Sequence, residues 1–301
     1  MIISLNPTYL CNFRCDFCYL TPEQLADKNK INLGDLDKRL SEVSKVTPIS
    51  YVDLYGGEIS VLGDDYFYSL KDTIRRYYQG EINIITNYAS PKSYMHEDDI
   101  SLSVSFDFEA RERSDLVFAN MLTCPVPISV LILASPKVIN MDVGEMVQQL
   151  SMLSNIRSVE IKPYSTNQAN QQEVTHKDFE DFVIKWLEMD LPFEFENRHR
   201  IEESIKKQYD AFSNNHVYIT PNGKFAVLEF DENDNEYFLE LDSFDKYIKW
   251  ADNEAGNNTS DICKSCEYYG HCLTEHYRYV KDLTNSCNGY KGLLKWAEPK
   301  S

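Results

Sequence analysis

Hydrophobic and polar positions follow two rhythms along the first two-thirds of the chain. Short runs rich in branched residues read as strands: IISL (2–5), ISYVDLY (49–55), INIIT (82–86), ISLSVSF (100–106), ISVLILA (128–134) and VEIKPY (159–164). Between them, apolar residues recur every three or four positions in LGDLDKRLSEVSKV (33–46), DDYFYSLKDTIRRYYQ (64–79), VGEMVQQLSML (143–153) and KDFEDFVIKWLEM (177–189). That is the period of helices buried along one side. Strand–helix alternation at this spacing implies an α/β fold, a parallel sheet with crossover helices. Six strands fall short of a closed eight-stranded barrel and suit an open one, a partial (β/α)6 barrel. In such sheets ligands gather at the C-terminal ends of the strands.

The rhythm changes near residue 200. A charged helical segment, RIEESIKKQYDAF (200–212), leads into HVYITPNGKFAVLEF (216–230), where Pro-Asn-Gly between two alternating runs signals a hairpin. EYFLEL (236–241) adds an apolar run, and SFDKYIKWADNEAG (243–256) another helix. The expected division is a main domain over 1–200 and a small hairpin-plus-helix domain over 201–301.

Composition narrows the classes. The 301 residues are 43% hydrophobic and 26% charged, enough to build a sizeable core. No apolar run approaches the roughly 18 residues of a membrane span, and MIISLNPTYL lacks the order of a signal peptide. The expectation is a cytoplasmic protein without membrane attachment. A net charge of −18 argues against a nucleic-acid partner, because phosphate contacts need clustered Lys and Arg.

The eight cysteines fall as a trio (Cys11, Cys15, Cys18), a lone Cys124 and a quartet (Cys263, Cys266, Cys272, Cys287). In a large chain without a secretion signal, such clusters point to metal rather than disulfides. The trio, C-x3-C-x2-C, can hold a four-iron cubic cluster by three corners and leave the fourth iron open. The quartet, C-x2-C-x5-C-x14-C, closes a site that suits structural zinc or a second cluster. Three other segments end predicted strands: YGGE (55–58), ITN (85–87) and SFD (105–107).

Together these residues resemble the radical S-adenosylmethionine superfamily. CNFRCDFC matches its cysteine signature, with Phe17 directly before the last cysteine, and YGGE stands where relatives carry a glycine-glycine-glutamate motif. ITN is similar to their TNG, with Tyr88 in place of the glycine, and SFD stands where they carry a cofactor-contacting serine. The resemblance implies that Phe17, Gly56, Gly57, Glu58, Asn87 and Ser105 contact S-adenosyl-L-methionine, Glu58 through its amine. Arg111 and Arg113 both come sooner than the relatives' carboxylate-binding arginine, and Arg113 is assigned to that part.

What the resemblance implies chemically is reductive cleavage of the cofactor. One electron, ultimately from a donor such as flavodoxin or ferredoxin, yields a 5′-deoxyadenosyl radical that abstracts hydrogen from a substrate. The hairpin, the helix and CKSCEYYGHC resemble a truncated, twitch-like SPASM extension. Leu228 and His276 stand where relatives have inner-cluster cysteines, whereas Cys263, Cys266, Cys272 and Cys287 match the outer-cluster ligands. The implied cofactors are two [4Fe-4S] clusters, one site-differentiated and one auxiliary, with S-adenosyl-L-methionine. The implied enzyme is an oxidoreductase that matures a ribosomally made peptide or a protein by crosslinking, epimerisation or backbone excision, with or without a separate recognition protein. Dehydrogenation or rearrangement of a small molecule is the alternative, and a non-enzymatic zinc module a third. No catalytic side chain is assigned; Cys124 reads as a hydrogen donor or a buried thiol.

Overall fold

The computed structural model describes residues 1–164, 174–211, 215–228, 238–256, 261–273, 287 and 289–299. The six strands expected from the sequence form: β1 (Ile2–Leu5), β2 (Tyr51–Leu54), β3 (Ile82–Thr86), β4 (Ile100–Ser105), β5 (Ile128–Leu133) and β6 (Ile156–Lys162). They pair in chain order, every neighbour parallel. β6 begins at Ile156 rather than at residue 159. Its first turn of sequence, Ile-Arg-Ser, carries a polar residue whose hydroxyl is satisfied across the sheet, Ser158 Oγ lying 3.0 Å from Ser129 Oγ. A hydropathy pattern counts that as loop. β7 (Glu194–Phe195), beside β6, is too short to carry a period at all.

The helices are α1 (Pro22–Ala26), α2 (Leu33–Ser44), α3 (Asp64–Arg75), α4 (Ser114–Leu122), α5 (Val143–Leu150), α6 (His176–Leu187), α7 (Glu196–Ile205), α8 (Phe244–Gly256), α9 (Asp261–Lys264) and α10 (Lys291–Ala297). The starts of α1, α2, α5 and α6 are fixed by side-chain oxygens that accept from otherwise unpaired backbone N–H groups. Asn32 does so for Gly34 (2.8 Å), Asp142 for Glu145 (2.9 Å), and Thr175 with Asp178 forms a capping box. α4 has no expected counterpart, because SDLVFANML is apolar on most sides and shows little helical period. The charged segment expected over 200–212 is helical from Glu196 to Ile205 and stops there, with Lys207 in the left-handed region (φ 56°).

Parallel strands joined in spatial order by right-handed crossovers keep all connecting helices on one face of the sheet. The residues in register obey that constraint. Ile3, Val52, Ile84, Leu102, Val130 and Val159 point to the helix side and are buried. The opposite parity carries Ser4, Asp53, Asn83, Ser103, Ser129 and Ser158, a polar band crossing six strands. These side chains are buried as well, although no crossover helix covers them.

The segment after residue 200 continues the same sheet. β8 (His216–Ile219) lies parallel to β1, with Ile2 opposite His216 and Leu5 opposite Ile219. β9 (Phe225–Leu228) and β10 (Phe238–Leu241) follow antiparallel, giving the order β10-β9-β8-β1-β2-β3-β4-β5-β6-β7. The expected hairpin turns at Pro221–Gly223, Gly223 taking φ 69°. Buried Arg39 of α2 ties this turn to the first crossover helix, Nε donating to Gly223 O at 2.7 Å and Nη1 to Asp242 O at 2.8 Å. At the far edge, α10 packs on α6: Gly292 N donates to Glu180 Oε1 at 2.9 Å, and the Tyr290 ring lies 4.6 Å from Phe179.

Trp186 anchors that edge, fully buried and stacked on Phe195 at 5.8 Å, and among the described residues its Nε1 has no hydrogen-bond partner. Trp186→Ala should therefore cost about 3–5 kcal/mol in urea unfolding. Trp186→Phe, which forfeits no hydrogen bond, should cost clearly less.

Candidate cofactor and metal site

The four unusual segments meet at the C-terminal ends of β1 to β4. The loop leaving β1 carries the trio, and two phenylalanines seat it: Phe13 and Phe17 are buried, while Cys11, Cys15 and Cys18 are partly open. A tight turn brings Cys18 N onto Cys15 O at 3.1 Å. Backbone N–H groups of Phe13 and Leu20 point at the sulfurs of Cys11 and Cys18, each at 3.4 Å. Burial pushes the Cys11 thiol up to about 12, the Cys15 thiol up to about 11 and the Cys18 thiol up as well, and Cys18 further raises both Cys11 and Cys15. Three neighbouring thiols that resist ionisation on their own are a donor set that a cation would complete.

The two glycines explain how the loop lies so close. Gly57 N donates to Thr8 O at 3.0 Å and Glu58 N to Leu10 O at 2.9 Å, so the end of β2 is stitched to the cysteine loop. Gly56 takes φ 136°, open to glycine alone, and a Cβ there would meet Thr8 O at 2.8 Å. A Cβ on Gly57 would run into the carbonyl oxygens of Tyr9 and Leu10. What both glycines approach is the chain's own loop.

Glu58 is buried and already accepts three hydrogen bonds: from Ser60 N (2.8 Å), Thr86 Oγ1 (2.6 Å) and Asn87 N (2.7 Å). It thereby fixes the end of β3 to the end of β2. Asn87 in turn reaches the trio, Nδ2 donating to Asn12 Oδ1 at 2.8 Å and lying 4.0 Å from Cys11 Sγ. Tyr88, standing where a glycine would be expected, adopts φ 54°, a left-handed conformation costly for a large side chain.

At the end of β4, Ser105 is half-buried on the polar parity, and the next acidic residue does more. Asp107, fully buried, accepts from Leu133 N at 2.6 Å and pairs with the Arg111 guanidinium. Arg111 Nη1 lies 3.9 Å from Cys15 Sγ, and its guanidinium sits 5.3 Å from the Phe17 ring centroid. Burial pulls the Arg111 pKa down, but Asp107 and Cys15 together hold it above the ordinary arginine value. Arg113 is exposed at the start of α4, φ 55°. The structure thus brings Cys11, Cys15, Cys18, Phe17, Gly56, Gly57, Glu58 and Asn87 together, with Arg111 rather than Arg113 against the trio. Asp107, Thr86 and Asn12 were not singled out by the sequence. An aspartate closing a strand with an arginine four residues on was the available signal for the first.

The quartet also converges. Burial raises the Cys263 thiol to about 11, with Cys272, Cys287 and Cys266 adding to the effect. A Cβ on Gly289 would lie 2.6 Å from Cys272 Sγ and 3.8 Å from Cys287 Sγ, so that glycine floors the site. His276 lies outside the described residues. Cys124 is buried, its thiol on Val126 O at 3.5 Å, just before β5 and so at the strand ends opposite to the trio. Among the described residues, no three His, Cys, Asp or Glu side chains converge at the spacing of a single ion, and no helix is long and apolar enough to cross a membrane.

No family model and no curated protein matches the sequence. Solved structures match its fold. A protein described as anSMEcpe with bound AdoMet superposes with a TM-score of 0.71 at 12% identity, over 99% of this chain and 96% of that one. The same protein with bound AdoMet and Cp18Cys peptide gives 0.67 at 12% identity, over 98% and 94%. SuiB of Streptococcus suis bound to precursor peptide SuiA gives 0.65 at 15% identity, over 95% and 76%. The chain shares their mixed α/β fold.

Gly57→Ala tests the stitch. It should lower the melting temperature by several degrees, at about 2–4 °C per kcal/mol for a chain of this order, and speed reaction of Cys11 with a thiol reagent in the apo protein. Gly63→Ala, where an added Cβ meets nothing within 4 Å, should leave both unchanged.

Proposed function

We propose that the chain is a radical S-adenosylmethionine enzyme that modifies a peptide or protein substrate. The observation that carries this reading is the meeting of three desolvated thiols with buried Glu58 at one end of a parallel sheet. The donor set fits an iron–sulfur cluster. It is all-sulfur, its charge is uphill without a cation, and a cube of irons spaces its cysteines wider than one ion does. Bound there, cluster and cofactor would supply a radical that takes a hydrogen atom from the substrate.

The chain's own residues divide the remaining work. Cys11, Cys15 and Cys18 hold three corners. A carboxylate has about four acceptor sites; Glu58 spends three on the protein and keeps one for the cofactor's ammonium. Gly56 and Gly57 act by letting the loop close on β2, and Phe17 and Asn87 by fixing its position. Ser105 stands on the same parity as the polar band. Arg111 is the better partner for the cofactor's carboxylate, because it already stands beside Cys15. Cys263, Cys266, Cys272 and Cys287 would hold a second, fully ligated cluster in a shortened SPASM-like extension. An external one-electron donor completes the system.

The buried polar band supports the partial-barrel reading: side chains on the helix-free face are shielded only if the sheet curls around them. Peptide substrates are favoured over small molecules by the peptides carried by the structural neighbours.

The test is anaerobic reconstitution with iron and sulfide, then S-adenosylmethionine and dithionite, with 5′-deoxyadenosine quantified. Wild type should form it, and Cys15→Ala should lose it by about 100-fold or more, roughly 3 kcal/mol of transition-state stabilisation. The double variant Cys263→Ala/Cys266→Ala should keep forming it while losing about four irons per chain. Iron-loaded wild type that forms none, or Cys15→Ala that forms as much, would sink the proposal.

A further inference from the structure

One charged cluster on the helix-free face has no part in the site above. Glu160 and Lys162 of β6 share the parity of Ser158 and so point to that face. α7 is pinned to the open edge of β6 by Asn197, which accepts from Ile161 N at 2.8 Å and donates to Ile161 O at 2.9 Å. Arg200 follows three residues on, hence on the same side of the helix, and its Nη2 lies 3.0 Å from Glu160 Oε1. Lys162 Nζ reaches the same oxygen at 2.7 Å. One carboxylate thus faces two cations, in a chain whose net charge is −18. Both cations stay open to solvent, the Lys162 and Arg200 side chains being 41% and 47% exposed, against 12% for Glu160.

Two residues of β8 share this face, His216 opposite Ile2 and Tyr218 opposite Ser4. His216 is exposed, yet burial, with Lys162 and Arg200 adding to it, lowers its pKa to about 4. Solvent reaches the ring while protein surrounds it, the condition of a side chain lining a recess, and the cations of β6 and α7 are felt across that recess. The imidazole is neutral at neutral pH and adds no charge of its own. From it, half-buried rings lead back to the cysteine loop. Tyr218 lies 4.7 Å from His216 and 6.5 Å from Tyr55, which directly precedes Gly56 and stacks on Tyr19 at 5.8 Å.

Resting on the reading above, we propose that Lys162 and Arg200 form the subsite for a carboxylate of the substrate peptide, an acidic side chain or the C-terminus, which reaches them along Tyr55, Tyr218 and His216. Charge balance favours this ligand. Against burial, which raises it, Lys162 and Arg200 hold the Glu160 carboxyl below its ordinary value, so it is ionised and neutralises one of the two cations. Burial raises the Asp53 carboxyl, which also feels Lys162, to about 7, so at neutral pH it offsets the remainder only in part. A second carboxylate would bring the cluster near neutrality, in a desolvated setting where charge-assisted hydrogen bonds are strong. The chain as a whole repels anions, so a preference for an acidic peptide must come from a local site. The two ring-to-ring steps from Tyr55 to His216 are covered by about three or four residues of extended chain. That sets the distance between the carboxylate and the residue held at the trio.

The probes are N-acetylated peptides that start with serine, continue with about two to four glycines and end in one of three ways. Glutamine amide is the neutral reference, glutamate amide offers a side-chain carboxylate, and glutamine with a free C-terminus offers the terminal one. Their binding to the iron-reconstituted enzyme with S-adenosylmethionine, without reductant, is measured by calorimetry at neutral pH. Wild type should bind at least one carboxylate peptide about tenfold more tightly than the reference, and which one it is identifies the source. Added salt should shrink the preference. Arg200→Gln and Lys162→Gln should each cut it to about threefold or less. Glu160→Gln, which removes the carboxylate already present, should raise it above wild type, whereas a cluster with only a structural role would be loosened by that change. Equal binding of all three peptides by wild type, no binding of either carboxylate peptide, an unchanged preference in both Arg200→Gln and Lys162→Gln, or a lowered one in Glu160→Gln overturns the assignment. This readout needs no radical, so a wild type that forms no 5′-deoxyadenosine in the reductive assay would instead bring down the underlying reading.

Discussion

The structure depends on how closely two backbones run at the C-terminal ends of β1 and β2. Thr8 and Leu10 offer carbonyls to Gly57 and Glu58, and no side chain fits between them. Because the glycines admit that contact, Glu58 is held where it can collect Ser60, Thr86 and Asn87, and Asn87 can reach the cysteine loop. One backbone approach thus aligns three strand ends around the three thiols. Asp107 repeats the device one strand further on, joining β5 to Arg111 and through it to Cys15.

The order of the strands does the rest. Since neighbours from β1 to β7 in the sheet are also neighbours in the chain, their right-handed crossovers put the connecting helices on one side, and the other side is free to be polar. A serine, asparagine and aspartate band in the middle of a sheet would be a poor way to build a core, yet all six of its side chains are buried. The hairpin extends this sheet through β8 instead of forming a separate layer, with Arg39 as the buried clasp. α10, which follows the quartet in the chain, packs at the other edge against α6 and α7.

Much of this was legible in the sequence because the signals were strong and local. Branched strands, amphipathic helices and the Pro-Asn-Gly turn announced their elements, and the cysteine spacing marked the thiols that the fold brings together. What was missed has a physical reason in each case. α4 is too uniformly apolar to show a period. β7 is two residues long and exists only because β6 offers an edge. Spacing chose Arg113 because it counts residues, whereas the short 3-10 turn Phe108–Ala110 swings Arg111 back over Phe17 and leaves Arg113 outside.

The central claim is that the trio carries a cluster with one iron open to S-adenosylmethionine. Electron paramagnetic resonance of the dithionite-reduced protein addresses it most directly, recorded on the variant lacking Cys263 and Cys266 so that a single cluster contributes. The account predicts a reduced four-iron signal whose g-values and line shape change when S-adenosylmethionine is added, because the cofactor becomes a ligand of that iron. A signal indifferent to the cofactor, or no four-iron signal at all, would contradict it.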